Sequence, residues 1–357
     1  MNTPTPSHSD SKKQISSTQT ASDKNAAGVP DSTVTLSPAG SVKVAPVTGE
    51  RITSPLGRTL RDIWRLISSN RKVAVGASII TFFLLVAIFG PMFVHQDPNA
   101  FVGAPLDPPS AAHVLGTTQT GQDVFVQLIV GTRNSVFWGF LTGLATTAVS
   151  VFIGLIAGYM GGAVDDILTL IINIFLLIPG FPLALILATL LPFRGLATVS
   201  IVLVITGWSF NARVLRAQTM SLRDRDFVEA ARTTGEFPLR VIFFEVLPNE
   251  ISIVAVCMMG TIIYAITAAV GLQFLGLGKS TDVSWGTILY WAQNNDALFL
   301  GAWWWFVPPG LCVALMAAAL SLVNFGIDEI ANPRLRSEGK RVRRRRLLEK
   351  GSIISHG

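Results

Sequence analysis

The chain has 357 residues, half of them hydrophobic and 14% charged, with a net charge of +6 and a mean hydropathy of +0.51. A soluble globular domain carries about 25% charged residues; here the charges are dense between long stretches that nearly lack them, which excludes one large soluble core and describes a polytopic membrane protein. Four scattered histidines and two cysteines inside apolar runs, Cys257 and Cys312, lack the spacing of a metal centre or a disulfide framework.

Residues 1–50 contain no Phe, Tyr or Trp and are rich in Ser, Thr, Ala, Pro and Lys. Such a segment buries too little apolar surface to offset its ordering entropy, so a disordered leader is expected. It also lacks the apolar core of a secretory signal peptide. At 51–72 the pattern changes. Ser54-Pro55 marks a helix start, and Leu56, Leu60, Ile63, Trp64 and Ile67 recur at helical spacing with Arg58, Arg61 and Arg65 between them. This predicts a basic amphipathic helix lying on the membrane surface.

Six apolar segments within 73–330 are long enough to span a hydrocarbon core, which needs about 20 residues each. They are Val73 to Val94, Asn134 to Gly158, Ile167 to Leu191, Gly195 to Ala212, Ile251 to Gly271 and Ala302 to Ile327. The third is interrupted by Pro179-Gly180-Phe181-Pro182 and the sixth by Pro308-Pro309, which suggests a packed bundle or a lined cavity that satisfies the freed backbone groups. Gly139 with Gly143, and Gly154 with Gly158, are spaced to let helices approach closely, first of all within the chain.

Lys and Arg set the orientation. Of 28, ten precede the first span, six lie from Arg213 to Arg240, nine follow the sixth span, and only Arg133, Arg194 and Lys279 fall elsewhere. The positive-inside rule therefore places both termini and the 213–250 segment in the cytoplasm. The basic tail, 331–357, with its run Arg341 to Arg346, is suited to anionic lipid headgroups rather than nucleic acid. No span carries the mid-membrane carboxylates of a secondary transporter or the nucleophile and base of a membrane enzyme.

The cytoplasmic segment 221–248 is more than a loop. Ser221-Leu222-Arg223-Asp224 fits a capping box, with Phe227, Ala230 and Ala231 following at helical spacing. Gly235 can end that helix in a left-handed conformation. Pro238 can open a second short helix, which Leu247-Pro248 would end. Asn173, Trp208, Ser209 and Asn211 are the polar or aromatic groups within the spans that are candidates for lining a path.

Glu229-Ala230-Ala231, Gly235 and, twelve positions on, Leu247-Pro248 resemble the EAA motif of ABC importer permeases. His113-Val-Leu-Gly-Thr-Thr-Gln-Thr-Gly-Gln-Asp123 resembles the HxLGTDxxGRD signature of the C-type subunit of dipeptide and oligopeptide permeases. Here Thr118 stands for the usual Asp and Gln122 for the usual Arg. Phe274 to Gly278, Trp285-Gly286, Pro309-Gly310-Leu311 and Asn324 to Asp328 continue the likeness, which covers roughly residues 55 to 335. The resemblance implies an all-α, six-span permease of the type I importer fold in the bacterial inner membrane. It implies a coupling helix seated on a cytoplasmic ATPase, with Glu229, Ala230, Ala231, Gly235, Leu247 and Pro248 forming the contact and Ser221, Asp224 and Phe227 supporting it. The implied partners are a second, similar permease, two ATPase subunits or one fused ATPase, and an external substrate-binding protein. ATP and Mg are then expected on the partner chains, since the sequence has no Gly-x-x-x-x-Gly-Lys-Ser/Thr loop, and this chain is expected to hold no cofactor and to be no enzyme by itself. Peptides are the substrate implied, with nickel, glutathione or another solute the alternative within the family.

Overall fold

Long apolar runs in lipid must satisfy their backbone groups internally, so they fold as helices. A computed structural model describes residues 71–331 apart from Ser280. The expected leader, the amphipathic helix up to residue 70 and the basic tail beyond 331 lie outside the described residues. The described chain runs through α1 (Arg71–Phe93), α2 (Val124–Met160), α3 (Gly162–Leu177), α4 (Gly180–Leu190), α5 (Leu196–Gly207) and α6 (Ser209–Leu222). It continues through α7 (Asp226–Thr233), α8 (Pro238–Val241), α9 (Leu247–Leu272), α10 (Trp285–Asn294) and α11 (Trp303–Ala331).

Five stretches among the described residues are long and apolar enough to cross a membrane: Arg71–Phe93, Val124–Met160, Leu196–Leu222, Pro238–Leu277 and Trp303–Ile327. The bent pair of α3 and α4 makes a sixth. These match the six expected segments in order, with shifted ends. The interruption expected at Pro179 is an 89° bend: Ile178, before the proline, is extended, as its ring demands.

α2 is the spine. At 37 residues it is about 55 Å long, and α1, α5, α6 and α9 pack along it. Its two glycine pairs serve different partners. Gly139 and Gly143 lie against Ile266 and Ile262 of α9, whereas Gly154 and Gly158 lie against the Ala212 and Arg216 carbonyls of α6. A β-carbon at Gly154 would stand 2.7 Å from the Ala212 oxygen, so only glycine permits that approach. The close spacing is thus used inside the chain, as expected.

Two expected boundaries are corrected. The fourth span does not stop at Ala212; α5 and α6 form one stretch to Leu222 with a break at Gly207-Trp208. Ser150 of α2 stabilises that break by donating to the Trp208 carbonyl at 2.8 Å. Leu247-Pro248 does not end a helix. A wide π turn, Ile242–Val246, leads directly into α9, with Leu247 N–H donating to the Ile242 carbonyl. Pro248 sits in the first turn of the resumed helix, where its missing N–H is tolerated. Ile242 and Val246, both fully buried, hold the turn in place.

Candidate functional site

The segment from 221 to 248 sits at the C-terminal end of α2. Its core is Leu155 and Tyr159 of α2, Leu215 of α6, Val228 of α7, and Val241, Ile242 and Val246. α7 is therefore anchored by Val228, which is fully buried, while Phe227, Glu229 and Ala230 are exposed and Ala231 is half-buried. A second anchor is Arg232: its Nε donates to Tyr159 Oη at 3.1 Å, and its guanidinium lies 4.7 Å from the Tyr159 ring centroid.

The turn after α7 is a Schellman motif. Glu236 N–H donates to the Ala231 carbonyl at 3.3 Å and Gly235 N–H to the Arg232 carbonyl at 3.0 Å. Gly235 has φ +81°, the left-handed value expected of it. Pro238 opens α8 at its first turn, also as expected.

The expected capping box is not formed. Ser221 still belongs to α6, and its Oγ donates to the Gln218 carbonyl at 2.7 Å. Asp224 lies in the following turn beside Arg223, at 3.5 Å. α7 begins two residues later, with extended Arg225 as its cap and no side-chain bond. The cause is tertiary: Leu222 packs into the same core as Leu215 and Val228, which prolongs α6 through it. Glu229 makes no ion pair among the described residues.

Near this end of the bundle α3 is tied to α6. Asp165 accepts from Arg216 Nε and Nη2 at 2.5 and 2.7 Å, and Thr169 Oγ1 donates to the same carboxylate at 3.0 Å. Arg223 reaches Gly161, just before α3. Glu250, at the start of α9, is buried, with Oε1 accepting from Thr219 of α6 at 2.8 Å and Oε2 unpartnered. The sequence reading singled out none of Tyr159, Asp165, Arg216 and Glu250 for these contacts. The contacts Glu250–Thr219, Asp165–Arg216 and Tyr159–Arg232 join residues 31 to 73 positions apart, so no local spacing betrays them.

The helix breaks meet in a cavity of about 410 Å³. Gly180 at the α3–α4 bend, Ser209 and Asn211 after the α5–α6 break, and Gly260, Thr261 and Tyr264 of α9 line it. Asn211 Nδ2 donates to Thr261 Oγ1 at 2.5 Å. Of the four candidate path residues, the structure brings Ser209 and Asn211 to this cavity. Trp208 instead packs against Phe175, ring centroids 5.2 Å apart, in a cluster with Ile172 and Ala212. Asn173 does not line the cavity.

At the other end of α2, Asp123 joins the two ends of the His113–Asp123 motif. Its Oδ1 accepts from Phe125 and Val126 N–H at 2.8 and 3.2 Å, capping α2, and its Oδ2 meets His113 Nδ1 at 2.9 Å. Thr118, in the usual Asp position, accepts from Gln122 N–H at 3.1 Å. Gln122, in the usual Arg position, donates to the Asn99 carbonyl at 3.2 Å and accepts from Gln127 at 2.8 Å. Neutral hydrogen bonds thus hold these two positions.

Residues 150–337 match the family described as binding-protein-dependent transport system inner membrane component, and residues 59–109 match the N-terminal TM domain of oligopeptide transport permease C. The dipeptide transport system permease protein of Bacillus subtilis is 33% identical over 284 residues, covering 77% of this chain and 86% of that relative. The oligopeptide transport system permease protein of the same organism is 33% identical over 279 residues, covering 77% and 90%. A probable D,D-dipeptide transport system permease protein of Escherichia coli is 32% identical over 277 residues, covering 76% and 90%.

Proposed function

The chain belongs to the binding-protein-dependent transport system inner membrane components, and on that premise we propose that it forms half of the translocation path of an ATP-driven importer of di- or oligopeptides. It is an integral inner-membrane protein and a permease of the ABC importer family. The relatives named for dipeptide and oligopeptide transport, aligned over most of their length, support the substrate class.

The observation that carries the mechanism is α7. Its inner side is fixed to α2 and α6 through Val228 and Arg232, while Phe227, Glu229 and Ala230 face outward. A partner ATPase that grips this outer face moves α7 as a rigid lever. The force passes through Tyr159 into α2 and through the π turn into α9. ATP binding closes the ATPases and favours one state of the spans, and hydrolysis resets it. A second, similar permease completes the path, with Ser209 and Asn211 lining this chain's half. An external binding protein delivers the peptide, and ATP and Mg stay on the ATPase subunits. The lining is largely apolar and uncharged, with Thr206, Ser209, Asn211, Thr261 and Tyr264 as its polar groups, which suits a ligand held through backbone-like groups.

Uptake of labelled di-, tri- and pentapeptides in cells lacking this chain tests the substrate. Restoring the chain is expected to restore at least one length class. No dependence of peptide uptake on the chain overturns the peptide reading and makes nickel or glutathione the next substrates to assay.

A further inference from the structure

A second cavity, about 180 Å³, lies at the N-terminal end of α2, the end opposite α7. Its lining includes Asn99, Gln122 and Gln127 from the long loop and first turn of α2, Asp282, Asn295 at the end of α10, and Trp305 at the start of α11. Trp305 is 3% exposed, and its Nε1–H is buried with no hydrogen-bond partner. That is costly for an indole and is not the habit of the neighbouring tryptophans. Trp304 Nε1 donates to the Thr117 carbonyl at 3.2 Å and Trp285 Nε1 to Thr132 Oγ1 at 3.1 Å.

The lining carries one sign of charge, with Lys279 close to Asp282 but outside the lining. Asp282 is the one ionisable residue in its lining, and no Lys or Arg lines it. The carboxylate has one hydrogen bond, from Leu196 N–H at 3.3 Å, and no ion pair among the described residues. Gln127 spends its Nε2 on the Pro98 carbonyl and Gln122 Oε1, at 3.1 and 2.8 Å, which leaves its Oε1 as an acceptor. The cavity thus offers a carboxylate and amide oxygens, and Trp305 in its wall carries a buried, unsatisfied donor.

We infer that this cavity is an outward-facing subsite for the ammonium end of the transported peptide. Asp282 takes the α-ammonium, Trp305 Nε1–H donates to the first peptide carbonyl, and Gln127 Oε1 accepts from the next peptide N–H. The inference rests on the peptide reading above and deepens it. A ligand's carboxylate end would find no cation here, so the site selects one end of the substrate and sets its direction of entry.

The test uses cells lacking the chain, restored with wild type, Asp282→Asn or Trp305→Phe, each at a matched level in the membrane. Two labelled substrates are compared: a free dipeptide and the same dipeptide N-acetylated. The unchanged binding protein cancels when each variant is referred to wild type on the same substrate. Loss of a charge-assisted bond predicts that Asp282→Asn slows the free dipeptide about tenfold and leaves the acetylated one near its wild-type rate. Trp305→Phe, which removes the indole N–H and keeps an aromatic ring, is expected to slow both about fivefold. Wild-type rates in both variants overturn the subsite. Equal slowing of both substrates by Asp282→Asn overturns the ammonium assignment. If the wild-type chain restores no peptide uptake, the peptide reading itself has failed and this inference with it; normal wild-type uptake with indifferent variants sinks only the inference.

Discussion

Gly235→Val is expected to abolish uptake while the chain stays in the membrane at its wild-type level. The position has φ +81°, where a β-carbon costs about 1–2 kcal/mol and a β-branched side chain is a poorer fit still. Nothing lies within 4 Å of a β-carbon built there, so the effect is one of backbone conformation alone and not of crowding. The chain relieves the strain by opening the turn. That breaks the bonds from Gly235 and Glu236 to the Arg232 and Ala231 carbonyls and frees α7 from its fixed angle to α8. The spans pack through other residues and still insert. Gly235→Asn, which tolerates a left-handed conformation, is expected to retain most uptake. Normal transport by the valine variant would contradict the lever.

Arg216→Met is expected to cost about 3 kcal/mol of stability, because it strands the Asp165 carboxylate in a largely buried position. The low end of the range applies, since the Arg216 side chain keeps 22% of its exposure. Asp165→Asn with Arg216→Met removes both charges and is expected to recover much of that loss, the non-additivity typical of a contacting pair. Thermal unfolding of the detergent-solubilised chain reads both values. Equal stability of the single and double variants would mean that the pair does not fasten α3 to α6.

The spans were legible because their signal is local and long. Each is a run of about 20 apolar residues, and the bend at Pro179 follows from the ring and its effect on Ile178. Gly235 was legible for the same reason, since a glycine after a short amphipathic run is a stop signal that acts within a few residues. The failures share one physical cause. Ser221 and Asp224 have the spacing of a capping box, but burial of Leu222 in the core that holds Leu215 and Val228 outweighs a cap worth about 1 kcal/mol. Pro248 reads as a terminator until the π turn before it relieves the missing N–H. Trp208 reads as a path residue by its indole, yet Phe175 and Ile172 bury it. The Asp165–Arg216 pair spans 51 residues, and the cavity under Trp305 is assembled from three separate parts of the chain; neither leaves a mark in any short window.

The proposed lever requires an ATPase to grip the exposed face of α7. Ala230 is exposed at its centre, so Ala230→Cys places a thiol on that face. A short cross-linker with one thiol-reactive end and one photo-activated end, which inserts into any nearby bond, is then applied to membranes of cells carrying the complete importer, with the unsubstituted chain as control for Cys257 and Cys312. The lever predicts an adduct with an ATPase subunit that needs position 230 and whose yield changes when ATP is trapped on the complex. A thiol at 230 that reacts freely with a water-soluble reagent in the assembled importer, and never joins the ATPase, would contradict it.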